Sequence, residues 1–314
     1  MDGERPSGIG RAHPMPTAPE PLRRDAPMRA IAFMLTGAVS FATMNALARG
    51  MRHLPWPMLG FSRALLGLVF ALAVARARGA SLAIVDRRRM WQRSLAGTTS
   101  MLCTFYALTH MPLADATALL NTTPLWIAAL AWIALRETVS PRVLTALAVA
   151  FAGVVLVERP GLSGGGFAGL VALGAGCAGA LAMINLRRLS GETPEAVVVH
   201  FSATAAAILG ALSLRWFVAH GAPPSLGWRD AAGVLAMGAT ATLGQLAITR
   251  AYALDKAARV GAAGWIQVVI ALAIDAVVFG RRPEGTVLAG IALLLGSGAL
   301  LVDDARRAQR ALQV

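Results

Sequence analysis

Residues 166–187 read GFAGLVALGAGCAGALAMINLR, a stretch that meets no charged side chain until its last residue, Arg187. At 1.5 Å per residue, about 20 such residues cross the ~30 Å hydrocarbon core of a bilayer, so the stretch is expected to be a transmembrane helix. Its glycines and alanines suit close approach to a neighbouring helix, the packing that membrane bundles favour. Working outward, the same reading recurs between charged, Pro and Gly punctuation. Ten candidate helices result, at 29–51, 57–76, 92–111, 113–135, 142–158, 166–187, 195–217, 229–252, 258–279 and 285–302. The whole chain of 314 residues is 56% hydrophobic and 14% charged, with a mean hydropathy of +0.61. A soluble domain could not cover that much apolar surface with so few charges, so lipid is the missing solvent.

The ten spans leave residues 1–28 as a polar tail rich in Pro and Arg, expected to be disordered and cytoplasmic, and 303–314 as a cytoplasmic C-terminal tail. The run after Arg29 is long enough to span, which favours a retained first helix over a cleaved signal peptide. The formal net charge of +13 does not mark a nucleic-acid binder, because the arginines sit between apolar runs and form no continuous basic face. They are topology signals instead. With the N-terminus inside, inner segments hold 21 positive residues and outer segments 7, which puts both termini in the cytoplasm.

Cys103 and Cys177 both fall inside apolar runs and offer neither a disulfide framework nor a metal site. No phosphate loop, zinc spacing or nucleophile motif is present, so no cofactor and no enzymatic activity is expected.

The sequence also repeats. A shift of 146 residues lays Tyr106-Ala107-Leu108 on Tyr252-Ala253-Leu254, and a shift of 144 lays Val143-Leu144 on Val287-Leu288. Each half then has five helices, and an odd number inverts the second half in the membrane. The expected fold is therefore an all-α integral membrane protein of ten transmembrane helices in two inverted five-helix repeats, over 29–158 and 166–302.

The repeated segments carry a family resemblance. Phe105-Tyr106-Ala107-Leu108, Met111-Pro112-Leu113-Ala114-Asp115-Ala116, Pro124 and Leu135-Arg136-Glu137 resemble the first EamA repeat of the drug/metabolite transporter superfamily. Gln245, Tyr252-Ala253-Leu254, Ala258-Arg259-Val260 and Phe279-Gly280-Arg281-Arg282-Pro283 resemble the second, and Arg63 matches an arginine common in that family's second helix. Where the second repeat usually carries a Glu, this chain has Arg281, while the first-repeat Glu stands as Glu137. The resemblance implies transport of a small metabolite or drug across a bacterial inner membrane without ATP hydrolysis.

A transporter of this kind needs polar groups at mid-span. In the fourth helix Asn121-Thr122-Thr123-Pro124 lies near the centre, where Pro124 frees a carbonyl four residues earlier. Asn121 is thus a candidate for solute binding, the alternative being a structural kink. Gly238, Thr242, Gln245, Thr249 and Tyr252 recur every three or four residues, one face expected to look into the bundle, with Thr242 and Gln245 lining a cavity.

Gly261, Gly264, Ala271 and Asp275 form a small-residue face that would turn Asp275 inward. A carboxylate there costs about 2.5–3.5 kcal/mol on insertion scales, and desolvation would favour its protonated form, so Asp275 is a candidate proton carrier. The alternatives are a bond that only holds the bundle together or a hydrated acid near the outer interface. Asn45, Asn185 and Gln267 are further cavity candidates, Gln267 equally fitting an interhelical hydrogen bond, and Trp126 and Trp265 are candidate stacking platforms that equally fit lipid-facing packing. Arg63 reads as a structural or gating ion pair in preference to a solute ligand, Glu137 as an interfacial contact at an inner gate, and His200 as a titratable group that also fits a plain hydrogen bond.

The reading is a secondary transporter or exchanger of a small organic metabolite working by alternating access. Uncharged polar contacts outnumber charged ones, which suits zwitterions or nucleoside-like solutes. Lipid surrounds it, and a second copy of the chain is a partner the sequence allows. The rival classes are an integral-membrane enzyme acting on lipid and a non-transporting membrane partner.

Overall fold

The computed structural model describes residues 26–51, 53–110, 119–158, 166–221, 226–278 and 284–311, and every regular element among them is an α-helix. In chain order these are α1 (Pro27–Gly50), α2 (Trp56–Arg78), α3 (Arg87–His110), α4 (Thr123–Leu135), α5 (Pro141–Glu158), α6 (Gly166–Arg188), α7 (Pro194–His220), α8 (Trp228–Leu254), α9 (Ala257–Ala263), α10 (Ile266–Val278) and α11 (Gly285–Ala311). Seven helical segments are long and apolar enough to cross a membrane, among them α1, α2, α6, α7, α8 and α11. The chain is a multi-pass membrane protein. α4 and α5 are apolar but shorter, and α3 carries Arg87, Arg88, Arg89 and Arg93 in its first two turns.

Local chemistry sets the helix ends. Proline stands in the first turn of α2, α4, α5 and α7, where its missing N–H has no intrahelical partner to lose. Thr193 caps α7 by accepting from Ala196 N at 3.2 Å. Gly79 closes α2 in the left-handed conformation (φ 59°). Arg136 does the same for α4 at φ 53°, a conformation a side chain resists, and this turns the chain so that Glu137 faces the neighbouring helices.

Two boundaries depart by more than a turn from the sequence reading. α3 begins at Arg87, more than a turn before 92. α11 runs on to Ala311, so most of the stretch expected as a tail is helix, held by Asp304 at the bundle and an Arg307–Asp303 pair (2.8 Å). Residues 1–25, where the N-terminal tail is expected, lie outside the described residues.

Pro124 does not kink a continuous helix. Leu119 and Leu120 are helical, the chain turns at Asn121-Thr122, and α4 starts afresh at Thr123. The Leu120 carbonyl freed by Pro124 accepts from Thr123 Oγ1 at 2.7 Å.

The segment expected as one helix over 258–279 is likewise broken, at Gly264-Trp265. There the backbone closes through short-range bonds (Trp265 N to Ala262 O, 3.3 Å; Gln267 N to Gly264 O, 3.1 Å). The break shifts the phase of the helix. Gly261 and Gly264 face Ile127 and Met34, whereas Ala271, expected on the same inward face, is exposed.

α1 packs on α8, α3 on α6, α2 on α7 and α5 on α11. Absent side chains permit these seams. A methyl group built on Gly37 of α1 would lie 2.6 Å from Ile248 Cγ2 of α8, and one on Gly153 of α5 would lie 2.9 Å from the Gly290 carbonyl oxygen of α11. The core is densest around α8 and α9, where Tyr252, Ala257 and Val260 are fully buried.

Candidate functional site

Between α1, α2, α3, α6, α7 and α8 lies a cavity of about 320 Å³. Its walls are mostly apolar and rich in methionine (Met44, Met101, Met183, Met237) around a few polar groups: Asn45, Ser100, Thr104, Gln245, Arg63 and Arg93. This matches the usual composition of a small-molecule site, an apolar lining with a small number of placed polar groups. A smaller void beside it shares Arg63, Met101, Phe201 and Gln245 and adds Thr242 and Ser202.

Each polar group is positioned by its helix. Arg63 projects from the second turn of α2 and donates from Nη1 to Met101 Sδ at 2.9 Å. Ser100 donates to the Ala175 carbonyl of α6 at 2.8 Å, where Gly179 leaves room for it. Gln245 is 9% exposed, and its Oε1 accepts from Arg93 Nη2 at 3.4 Å. The guanidinium of Arg93 lies over the Phe201 ring, 4.5 Å from its centroid, and against Gly97 one turn further on, where any side chain would collide with it.

Arg93 is 1% exposed, and its Nε and Nη1 have no hydrogen-bond partner among the described residues. Sequence reasoning missed it by counting it with the basic cluster Arg87-Arg88-Arg89. The signal was present, for Arg93, Gly97, Ser100 and Thr104 recur at spacings of four, three and four, the same kind of face that singled out Gln245.

Of the residues expected at the site, Asn45, Arg63 and Gln245 line the cavity and Thr242 lines the adjoining void, its hydroxyl donating to the Gly238 carbonyl at 2.8 Å. The rest of the α8 face is packing: Gly238 sits against Leu66, and Thr249 donates to the Gln245 carbonyl at 2.7 Å. Asn185 is buried one turn beyond Ala182 of the wall and donates to the Leu181 carbonyl at 3.0 Å.

Trp265 is no stacking platform. It is 3% exposed, and its Nε1 donates to the Asn121 backbone carbonyl at 2.9 Å. Asn121 thus serves the bundle through its backbone and does not line the cavity, and neither does the half-buried Gln267. Trp126 is exposed beside Gly176 and is not among the residues that line the cavity. His200 meets the Ser94 hydroxyl at 2.8 Å and the edge of Trp91 on the α3–α7 seam, away from the cavity lining. The side chain of Asp275 lies outside the described residues.

Glu137 is held by an ion pair with Arg187 (3.2 Å) and accepts the Ala257 N–H at 2.9 Å, joining the turn after α4 to α6 and α9. It belongs to a network at the end of the bundle where α1 starts and α11 stops. There Glu195 of α7 bridges Arg78 of α2 (3.3 Å) and Arg250 of α8 (3.0 Å). Arg259 of α9 pairs with Asp255 (2.7 Å) and with Asp304 of α11 (2.8 Å), and Asp304 also accepts from Ser140 (2.7 Å). Among the described residues the opposite end carries one such pair, His53–Asp230 (3.1 Å).

A helical bundle crossing the membrane around a mixed apolar and polar cavity is an arrangement that small-molecule transporters use. Residues 28–159 match the EamA-like transporter family. Over those residues, the first half of the chain, the protein is similar to transporters of that family. It is 28% identical over 260 residues to the pseudopaline exporter CntI of Pseudomonas aeruginosa, covering 82% of this chain and 89% of that one. It is 25% identical over 294 residues to a riboflavin transporter of Rhizobium johnstonii, covering 90% and 95%. A solved crystal structure shares the fold at a TM-score of 0.77 and 20% identity, over 88% of this chain and 98% of that one. The two sequence relatives are named as an exporter and a transporter, which sets aside the lipid-enzyme reading.

Proposed function

We propose that this protein is a secondary transporter that carries a small organic metabolite across the bacterial inner membrane by alternating access, with the central cavity as its solute site. The observation that carries the reading is the cavity's position. Its walls come from helices of both halves of the chain, and the Glu195, Glu137 and Arg259 networks lie between it and one end of the bundle. A cavity closed at one end by breakable polar contacts is what one state of a rocking transporter requires.

The helix pairing supports two inverted five-helix repeats, 29–158 and 166–302, with α9 and α10 taken together as one crossing. Exchanging first-half helices for their second-half counterparts maps α1 on α8 into α6 on α3, and returns α2 on α7 and α5 on α11 to themselves. Both repeats also break one helix at a matching place, Asn121-Thr122 and Gly264-Trp265. The cluster of arginines at the end with the ion-pair network supports a cytoplasmic location for that end and for both termini.

Alternating access is tested by labelling Thr104→Cys, on a background with Cys103 and Cys177 replaced by Ser, with a membrane-impermeant thiol reagent. The reagent is expected to reach position 104 from one side in the parent. When Glu195→Gln weakens the closure, it is expected to reach it from the other side as well. Access from a single side in both proteins counts against alternating access.

A further inference from the structure

We infer that the solute is an organic anion, whose carboxylate or phosphate group is taken by Arg93 with Arg63 and Gln245, and whose apolar body rests on the methionine wall. The inference rests on the transporter reading above and adds the charge and shape of what is carried.

Arginine seldom enters the interior of a membrane bundle without a partner, because no water is present to replace the lost solvation. The other buried arginine shows how this chain meets the requirement: Arg259 has two carboxylates within 2.8 Å. Arg93 is as deeply buried and has none among the described residues. Among the described residues no ion pair involves Arg93 or Arg63, and those that line the cavity include no Asp or Glu. Two positive charges therefore share one cavity of about 320 Å³ whose other polar groups are uncharged.

A guanidinium presents five N–H donors, of which Arg93 spends one on a 3.4 Å contact with Gln245, while its Nε and Nη1 stay unbonded. The Phe201 ring under it attracts the cation and fixes its plane without consuming a donor. Gly97 leaves the space in which the guanidinium lies. Such a group is pre-positioned for an acceptor that arrives from outside, and planar donors match the oxygens of carboxylate and phosphate.

The rest of the wall selects against a small inorganic ion. Met44, Met101, Met183 and Met237 offer flexible apolar surface that adapts to an organic body. Asn45 and Thr104 add uncharged contacts for that body's polar atoms.

The test is metabolite profiling of cells that express the full chain or its Arg93→Gln and Arg63→Gln variants. Each protein is first shown to be membrane-inserted and monodisperse, and Arg93→Lys serves as a second variant if Arg93→Gln fails that check. The parent is expected to change the ratio of internal to external concentration for solutes that are anionic at neutral pH. Arg93→Gln is expected to reduce that change at least tenfold, and Arg93→Lys to reduce it less.

The identity of the redistributed solutes separates carboxylates from phosphates. If the parent redistributes only neutral or cationic solutes, the anion inference falls and the transporter reading stands. If anions move and Arg93 and Arg63 can both be replaced without effect, the assigned residues are wrong. If a folded parent redistributes nothing, the transporter reading falls and the inference with it.

Discussion

Trp265 gives its indole N–H to the backbone carbonyl of Asn121 at 2.9 Å, so the break in one half of the chain is bonded to the break in the other. The two residues stand 144 apart, the shift that lays Val143-Leu144 on Val287-Leu288. A turn inside the membrane leaves carbonyls without helical partners, and the indole satisfies one of them. Trp265→Phe keeps the buried ring and removes the donor, with an expected loss of about 1 kcal/mol and a lower melting temperature in detergent. Asn121→Ala leaves the carbonyl in place and is expected to change stability by less than about 0.5 kcal/mol. A larger effect from Asn121→Ala than from Trp265→Phe would show that the side chain, and not the backbone, does the work.

Arg259 stands between Asp255 and Asp304, all three nearly buried. Removing the cation leaves two carboxylates facing one another in a low-dielectric site, whereas removing Asp304 leaves a pair that still balances. Arg259→Gln is expected to cost about 3–5 kcal/mol, and Asp304→Asn distinctly less. Thermal unfolding of the two purified variants ranks them, and the reverse order would refute the network.

Gly153 and Gly174 separate packing from propensity. A methyl group on Gly153 meets the Gly290 carbonyl, which belongs to the backbone of α11 and has no rotamer to move. Gly153→Ala is therefore expected to destabilise by about 1–3 kcal/mol. Gly174 has nothing within 4 Å of such a methyl, so Gly174→Ala gains the helix preference of alanine, about 0.5–1 kcal/mol, and raises the melting temperature. Equal effects at the two positions would mean that the α5–α11 seam is looser than described.

Gly97→Ala displaces the Arg93 guanidinium from its seat against α3. Redistribution of the transported solute is expected to fall at least tenfold while the protein stays monodisperse. Full retention of transport would remove Arg93 from the solute site.

Membrane insertion was legible in single runs such as 166–187, because lipid demands about 20 apolar residues in sequence and imposes that demand locally. Gln245 and Thr242 were legible for a related reason, since a polar stripe at helical spacing has one face to give and the bundle interior is its only low-cost place. What stayed hidden depended on contacts between distant segments. Asn121 looked like a polar side chain at mid-span, but Trp265 takes its backbone, and nothing in the composition of either helix announces that bond. Trp265 reads equally as a platform for solute or as lipid-facing packing and is instead a buried clamp.

Arg93 shows the division most plainly. Its residue type and its position beside other arginines read as a topology signal, and its face with Gly97, Ser100 and Thr104 read as nothing until α6 and α7 closed over it. The sequence by itself determined that the chain is a helical membrane protein, because hydropathy is a local property. Only the tertiary structure decided which polar groups share the cavity and which are consumed by packing. A side chain's charge is written in the sequence, whereas its partner, or the lack of one, depends on which helices surround it.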